Sequence, residues 1–199
     1  MPNKQIQDYD DKGTPSGSDK ILIQDSLGVT QYILRESLHR EKVGWFNYDD
    51  AATASSPITH NGSEGFKKLT NDTLGAQNDI TYRPTSMTTL WNPATNQLDF
   101  SELSVGDMVD LRVHVEVTTT IPNQEVVLLI DVGVGTASNF QLELNRNIYK
   151  SAGAQPITRY IGGSIGSELV RTGPAELKLD TDGSASIRVF GWYAKVTRR

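Results

Sequence analysis

The stretch DLRVHVEVTTTIPNQEVVLLIDVGVG, residues 110–135, decides the fold. In its first half, polar residues alternate with four apolar ones, Leu111, Val113, Val115 and Val117. A period of two places these apolar side chains on one face of a half-buried strand. After a proline-containing turn at 121–124, residues 126–134 are almost continuously aliphatic, which predicts a strand buried on both faces. A half-buried strand followed by a fully buried one predicts a two-layered β fold.

Short runs of β-forming residues, separated by turn signals, lie on both sides of this stretch. The aromatic run Gly44-Trp45-Phe46-Asn47-Tyr48 predicts the first strand of a main domain, and residues 51–65 predict a loop with an Asn61-Gly62 turn. Further strands are predicted at 66–70, 88–91, 140–144, 157–161, 164–170, 175–179 and 186–196. About eight to ten short strands without a long helical pattern indicate an all-β antiparallel jelly-roll sandwich.

The first 42 residues differ in composition from the rest. Residues 1–18 are polar and contain Pro2, Gly13, Pro15 and Gly17, which is typical of a flexible arm. Two apolar runs, 21–23 and 30–34, flank Gly28 and predict a β-hairpin. A two-stranded hairpin is marginally stable alone in water, so we predict that it anchors the chain to a partner. The predicted anchor residues are Ile21, Ile23, Tyr32 and Leu34. The predicted domains are 1–42, arm and hairpin, and 43–199, the jelly-roll head.

Composition excludes several classes of protein. The net charge of -5 argues against nucleic-acid binding, which requires a basic patch to neutralise phosphates. With no cysteine, disulfides and thiolate metal sites are excluded. The N-terminus has no apolar leader, and no run approaches the roughly 18 apolar residues of a membrane span. We therefore expect synthesis in a cytoplasm and no membrane insertion.

The last predicted strand carries apolar residues on both faces. A regular period of two places Ile187, Val189 and Tyr193 on one face and Phe190, Trp192 and Ala194 on the other. An antiparallel strand that is apolar on both sides needs a cover on its outer face, and another subunit would provide one. The predicted interface residues are Phe190, Trp192 and, on the polar face of the strand at 111–117, His114. The alternative cover is a loop of the same chain.

Three motifs have the form of chemical sites but lack essential parts. Gly162-Gly163-Ser164-Ile165-Gly166 matches a nucleophile elbow, but no histidine follows it in the chain. Asp180-Thr181-Asp182-Gly183 begins like a calcium loop, but its twelfth position is Gly191 instead of glutamate. Asp49-Asp50 offers two carboxylates without any fixed separation. We therefore predict no catalytic residue, no cofactor and no metal site, with an ion held by His114 from each of three chains as the alternative.

Several segments resemble the proteins of bacteriophage fibres. Residues 16–38, SGSDKILIQDSLGVTQYILRESL, resemble the N-terminal attachment segments of phage tail and head fibres. The main domain is similar to the trimeric jelly-roll heads of such appendages, which share their topology with tumour-necrosis-factor-like and C1q-like modules. The motifs that carry this likeness are Gly44-Trp45, Lys68-Leu69-Thr70-Asn71-Asp72, Leu90-Trp91-Asn92, Leu103 with Val105-Gly106-Asp107, and Leu111-Arg112.

The resemblance implies a non-enzymatic virion protein, homotrimeric, anchored to other virion proteins by its N-terminal segment. It would be a short fibre, head fibre or spike, since the chain lacks a long shaft, and its head would contact a glycan or protein on a host surface. Two alternatives remain open, a monomeric carbohydrate-binding module and a polysaccharide-degrading appendage. For the first, the candidate sugar-stacking residues are Tyr48, Tyr82, Trp91, Tyr149 and Tyr160.

Overall fold

The computed structural model describes residues 20–24, 30–34 and 42–199. The chain divides into two compact units between residues 39 and 40. In the first unit, β1 (Lys20–Gln24) and β2 (Thr30–Leu34) pair antiparallel, with residue 21 opposite 33 and residue 23 opposite 31. This pairing confirms the two strands of the hairpin. The predicted arm, 1–18, and the turn around Gly28 lie outside the described residues.

Within residues 43–199 the second unit is built from antiparallel strands and two short helices. The helices are α1 (Ala52–Ser55) and α2 (Glu168–Thr172). The strands are β3 (Val43–Asp49), β4 (Ile58–His60), β5 (Lys67–Lys68), β6 (Trp91–Asn92), β7 (Gln97–Leu98), β8 (Met108–Thr119), β9 (Gln124–Val132), β10 (Phe140–Tyr149), β11 (Gly153–Ser164), β12 (Ala175–Thr181) and β13 (Ala185–Thr197). No helix among residues 42–199 is long and apolar enough to cross a membrane.

The strands form two sheets that enclose one core. The β8 sheet has the order β11-β8-β13-β3, with β4 also paired to β13. The β9 sheet has the order β10-β9-β12-β7-β6, with β5 also paired to β12. The chain crosses between the sheets after β4, β7, β8, β10, β11 and β12. The β9–β10 hairpin in one sheet is therefore flanked in sequence by the β8–β11 pair in the other. This order is the jelly roll that the sequence predicts.

The strands of the opening stretch take the two environments expected of them. In β8 the four alternating apolar side chains are buried in the core, and the intervening residues are half-buried or exposed. In β9 every residue but Glu125 is buried. The outward-facing Val127 and Leu129 lie beside charged residues of the neighbouring strands, with Leu129 in register with Lys178 and Glu143. Aliphatic stems of such side chains can cover apolar neighbours while their charged ends stay in water.

Two local predictions are wrong. A single strand, β11, continues through both glycines at 162–163 to Ser164, so residues 164–170 do not form a second strand. Instead Ser167 caps α2 by accepting a hydrogen bond from the backbone N–H of Val170 at 3.3 Å, which satisfies a free donor at the helix start. The predicted loop at 51–65 contains α1 and β4, both too short to give a periodic pattern.

Candidate functional site: an aromatic face and an open edge

A β-bulge in β13 decides which side chains reach the outer surface of the β8 sheet. Val189 pairs with Val115 and Gly191 pairs with His114, so Phe190 is an extra residue without a partner on β8. The surrounding chain fixes this bulge. The backbone N–H of Val189 donates to Thr53 Oγ1 at 2.8 Å, and the backbone N–H of Asp50 donates to the Phe190 carbonyl at 3.0 Å.

Glycine at position 191 is required by a close approach of two backbones. A Cβ at this position would lie 2.3 Å from the carbonyl oxygen of Tyr48, which no side chain can tolerate without a shift of the backbone. The bulge therefore depends on both this glycine and the hydroxyl of Thr53.

The bulge turns Trp192 inward, so the prediction that it lies at a subunit interface is wrong. The extra residue moves Trp192 to the same face as Ile187 and Val189, where it is 0% exposed. Its ring meets that of Trp91 edge to face at 5.5 Å between centroids. A side chain with no exposed area in its own chain has none to offer a second subunit. Ala194, also expected on the outer face, is buried for the same reason.

Phe190 and His114 remain on the outer surface and contact each other. Their rings stack at 4.3 Å between centroids, and the Arg188 guanidinium lies 4.5 Å from the Phe190 ring centroid. Beside them, Arg112 lies 5.4 Å from the ring centroid of Tyr193. We call these five residues the aromatic face. It combines apolar area with cationic groups over aromatic rings, a composition typical of binding surfaces.

The aromatic face leaves His114 poorly suited to carry charge. Burial lowers the pKa of its imidazole, and the nearby Arg112 lowers it further, against a weaker opposing effect of Glu116. A lowered pKa keeps the ring neutral near pH 7, which favours stacking on Phe190. Among the described residues no group of three or more histidine, aspartate or glutamate side chains is arranged to hold a metal ion.

A second apolar surface lies where the two sheets end together. The edge strands β10 and β11 carry no further strand on their outer sides within the described chain. Between them opens an apolar cleft of about 110 Å³, lined in part by Phe140, Leu142, Ile161 and Val170. Phe140 is 43% exposed and Leu142 is 40% exposed. We call the cleft with the free backbone groups of these two strands the open edge.

Sequence reasoning missed the open edge. The alternation at 140–144 predicted a strand, and the structure confirms one. Nothing in the local pattern indicated that this strand would be the last of its sheet, because strand order is set by long-range pairing. Long exposed edges invite pairing with another chain, so an edge of this kind needs a cover or a partner.

A charged cluster occupies the outer surface of the β9 sheet. Lys178 Nζ lies 2.6 Å from Asp131 Oδ2 and 3.0 Å from Glu176 Oε2, and Lys68 Nζ lies 2.6 Å from Glu176 Oε1. Burial opposes ionisation of both carboxyls most strongly, but hydrogen bonds from the lysines and nearby amides lower the pKa of each overall. Both carboxylates are therefore ionised near pH 7, and neither can serve as the proton donor that a glycosidase needs.

The remaining predicted residues divide between core and surface. Tyr48 and Trp91, candidates for sugar stacking, are buried in the core, with Trp91 Nε1 donating to the Asn71 carbonyl at 3.0 Å. Tyr82 and Tyr160 are exposed, and Tyr160 lies in register with Arg112, next to the aromatic face. Asp50 accepts hydrogen bonds from Thr53 and Asp72 and so braces a loop.

The hairpin residues proposed as an anchor lie in β1 and β2, at positions 21 and 23 and at positions 32 and 34. Their role as an anchor stays a prediction. Ser164, the serine of the G-x-S-x-G motif, ends β11.

No protein-family model and no curated protein matches the chain. Among solved structures it is similar to infectious bursal disease virus Gx strain, at 10% identity and a TM-score of 0.44, over 79% of this chain and 32% of that one. It is similar to Eiger TNF from S. frugiperda, at 9% identity and a TM-score of 0.42, over 79% of this chain and 94% of that one. It is also similar to PRD1 vertex protein P5, at 14% identity and a TM-score of 0.38, over 79% and 96%. The chain thus spans about a third of the bursal disease virus chain. At these identities the likeness concerns the fold, and the strand order above is what establishes the jelly roll.

Proposed function

We propose that this chain is a structural protein of a bacteriophage particle, a short fibre, head fibre or spike. Its jelly-roll head would form a homotrimer, and its N-terminal hairpin would hold the trimer to other virion proteins. The protein would be made in the host cytoplasm and act in the virion without catalysing a reaction. The resemblance of residues 16–38 to phage attachment segments supports the virion role.

The observation that carries self-association is the presence of two separate apolar surfaces on one head. The aromatic face lies on the outer side of the β8 sheet, and the open edge lies where β10 and β11 end the two sheets. A contact between two different surfaces of identical chains is heterologous, and it generates a ring when the rotation closes. Three copies in such a ring would cover every aromatic face and every open edge.

Burial at this contact accounts for durability without disulfides. Obligate interfaces often bury more than about 2,000 Å² in total. At about 25 cal/mol per Å² of apolar surface, such an interface strongly favours the assembled state. In the proposed contact the stacked pair of His114 and Phe190 would be covered and shielded from water.

The two ends of the head differ in what they can contact. Val43, the first residue of β3, pairs with Thr197 at one end of the sandwich. The opposite end is formed by the loops at 61–65, 120–123, 150–152 and 182–184. If the chain is anchored through residues before 43, these four loops are the ones free to meet a host glycan or protein.

Solution mass tests the trimer directly. Light scattering on the full chain should give three times the chain mass of 21.9 kDa. Phe190→Glu on the aromatic face and Leu142→Glu at the open edge should each reduce the mass to that of a monomer, because each buries a charge at the contact. Leu74→Glu is the matched control, since Leu74 is an exposed leucine that belongs to neither surface. A wild-type chain that stays monomeric at high concentration contradicts the proposal.

Deletion of residues 1–41 tests the anchor separately. The remaining head should fold and form trimers, but it should no longer join particles. Particles that incorporate the shortened chain as well as the full one would show that attachment lies elsewhere.

A second function, binding carbohydrate as a monomer, is favoured by one observation. Trp45 and Tyr82 stack at 5.4 Å between ring centroids, and both are exposed. Aromatic rings in the open can pack against sugar faces. A monomeric mass together with glycan binding that is lost in Tyr82→Ala would favour this function over the trimer.

A further inference from the structure

The Asn61-Gly62 peptide lies in a loop whose contacts exceed those of a simple turn. The backbone N–H of Gly62 donates a hydrogen bond to His60 Nδ1 at 3.0 Å. The side-chain oxygen of Asn61 accepts hydrogen bonds from Ser63, from its backbone N–H at 2.9 Å and from its hydroxyl at 3.3 Å. The asparagine is exposed, whereas the histidine is buried.

These contacts determine which ring nitrogen of His60 carries the proton when the ring is neutral. An amide N–H can only donate, so Nδ1 must present its lone pair to Gly62. The ring proton then resides on Nε2, which lies 2.9 Å from the Gly65 carbonyl and 3.2 Å from Asp180 Oδ1. A carboxylate in this position stabilises the imidazolium that forms if Nδ1 takes up a proton. The order carboxylate, imidazole, N–H group is the arrangement by which proteins activate a nucleophile.

The fold also requires glycine at position 62, the residue type whose backbone nitrogen is least hindered as a nucleophile. Gly62 has a φ of 87°, and a Cβ there would lie 2.9 Å from the backbone of Gly183. Both constraints exclude a side chain at position 62. The absence of a side chain removes the steric hindrance that a Cβ at position 62 would add beside the Asn61 side chain.

The geometry points to a self-modification site, at which Asn61 loses ammonia and cyclises with the nitrogen of Gly62. In this step His60 Nδ1 removes the amide proton of Gly62, and the nitrogen lone pair forms a bond to Asn61 Cγ. Negative charge develops on the side-chain oxygen, where the two Ser63 donors stabilise it. The bond from Cγ to Nδ2 then breaks, and its electron pair leaves with ammonia, which takes the proton held by His60.

The product is a five-membered succinimide that water opens to aspartate or isoaspartate. Either outcome exchanges a neutral amide for a carboxylate at the loop end of the head. Isoaspartate also adds one carbon to the backbone path. The proposal is independent of the trimer and of the virion role, because all of its groups lie within one chain.

The charges around His60 come from three elements. Asp180 on β12 faces Nε2, and Asp182 follows it in the turn before β13. Glu64 in the same loop accepts a hydrogen bond from the Asn61 backbone at 3.1 Å and pairs with Lys67 of β5 at 3.1 Å.

Mass spectrometry of proteolytic peptides tests the site on the full-length protein. Folded protein held at neutral pH should accumulate the product at Asn61 faster than the same chain in denaturant, where only sequence acts. His60→Gln keeps a hydrogen-bond acceptor for Gly62 but has no basic nitrogen, and it should slow the reaction by on the order of 10²-fold. Thr95→Gln, which alters an exposed loop residue outside both surfaces, is the control and should leave the rate unchanged.

The pH profile distinguishes base catalysis by His60 from a change in rate that arises only because a variant makes the loop more mobile. With a histidine base, the rate in the folded protein rises and then levels off once His60 is unprotonated, while the rate in the denatured chain keeps rising with hydroxide. A folded chain that reacts no faster than the denatured one overturns the proposal. So does a rate unchanged in His60→Gln, or a folded-state profile without a plateau.

Discussion

Replacing Thr53 by valine removes the hydroxyl that holds the β13 bulge without changing the size of the side chain. In the native structure Thr53 Oγ1 accepts from the backbone N–H of Val189 at 2.8 Å and donates to Asp50 Oδ2 at 2.6 Å. The residue is 2% exposed, so no water can replace the lost hydroxyl without rearrangement. The variant leaves a buried backbone N–H without an acceptor.

The expected loss of stability follows from these two hydrogen bonds. An unsatisfied buried donor costs about 1–3 kcal/mol. The Asp50 carboxylate keeps its bonds from the backbone N–H groups of Thr53 and Asp72, so its share of the loss is small. We expect the free energy of unfolding to fall by about 2–3 kcal/mol, which corresponds to a Tm lower by roughly 5–10 °C for a chain of this length.

Urea unfolding followed by tryptophan fluorescence measures this difference. Thr53→Ser is the control, because it keeps the hydroxyl and removes only a methyl group, and it should cost less than about 1.5 kcal/mol. All variants must be compared at one protein concentration, since association adds to apparent stability. If valine proves as stable as serine at this position, the hydroxyl does not hold the bulge and the account of β13 fails.

Three further predictions follow from burial, charge and close packing. Trp192→Ala should lower the free energy of unfolding by about 3–5 kcal/mol, whereas Phe190→Ala should lower that of a monomer by less than about 2 kcal/mol. Equal losses in urea unfolding would contradict the inward turn of Trp192. The pKa of Asp131 is lowered in the folded state, so its contribution is fully present above the unfolded value and is lost as pH falls through the folded one. Asp131→Asn should therefore destabilise at pH 7 but converge with wild type in unfolding titrations once the pH falls below the lowered pKa of Asp131. A gap that persists in acid would contradict the charge assignment. Gly44→Ala places a Cβ 2.4 Å from the backbone nitrogen of Pro84 and should lower the Tm. Gly163→Ala has open space around the new Cβ and should leave the Tm unchanged. An unchanged Tm in Gly44→Ala would show that the loop beside Gly44 moves freely.

The charged cluster on the outer surface of the β9 sheet illustrates why buried carboxylates need not indicate catalysis. Asp131 and Glu176 lie in register on neighbouring strands, which brings two carboxylates together as in a hydrolase. Lys178 pairs with both, Lys68 pairs with Glu176, and these contacts help to lower the pKa of both carboxyls. Two ionised acids without a proton donor stabilise a sheet surface but do not provide general acid catalysis.

Local pattern determined the class of fold. The alternation in β8 and the continuous apolar run in β9 depend only on which faces of each strand meet the core. Both patterns can therefore be read from the sequence of a single strand. The hairpin strands β1 and β2 and the strands β3, β10 and β12 were predictable for the same reason. Sequence also identified Phe190 and His114 as outward-facing, and the structure shows that they stack on each other.

Only the tertiary structure decided the positions of Trp192, of the open edge and of the His60 contacts. The bulge that turns Trp192 inward depends on a hydroxyl 136 residues away from Val189 in the chain. The open edge exists because β10 and β11 each end a sheet, a fact of strand order that no local pattern contains. His60 acquires its carboxylate neighbour from β12, 120 positions further on. Periodicity describes one strand at a time, whereas each of these features arises where distant segments meet.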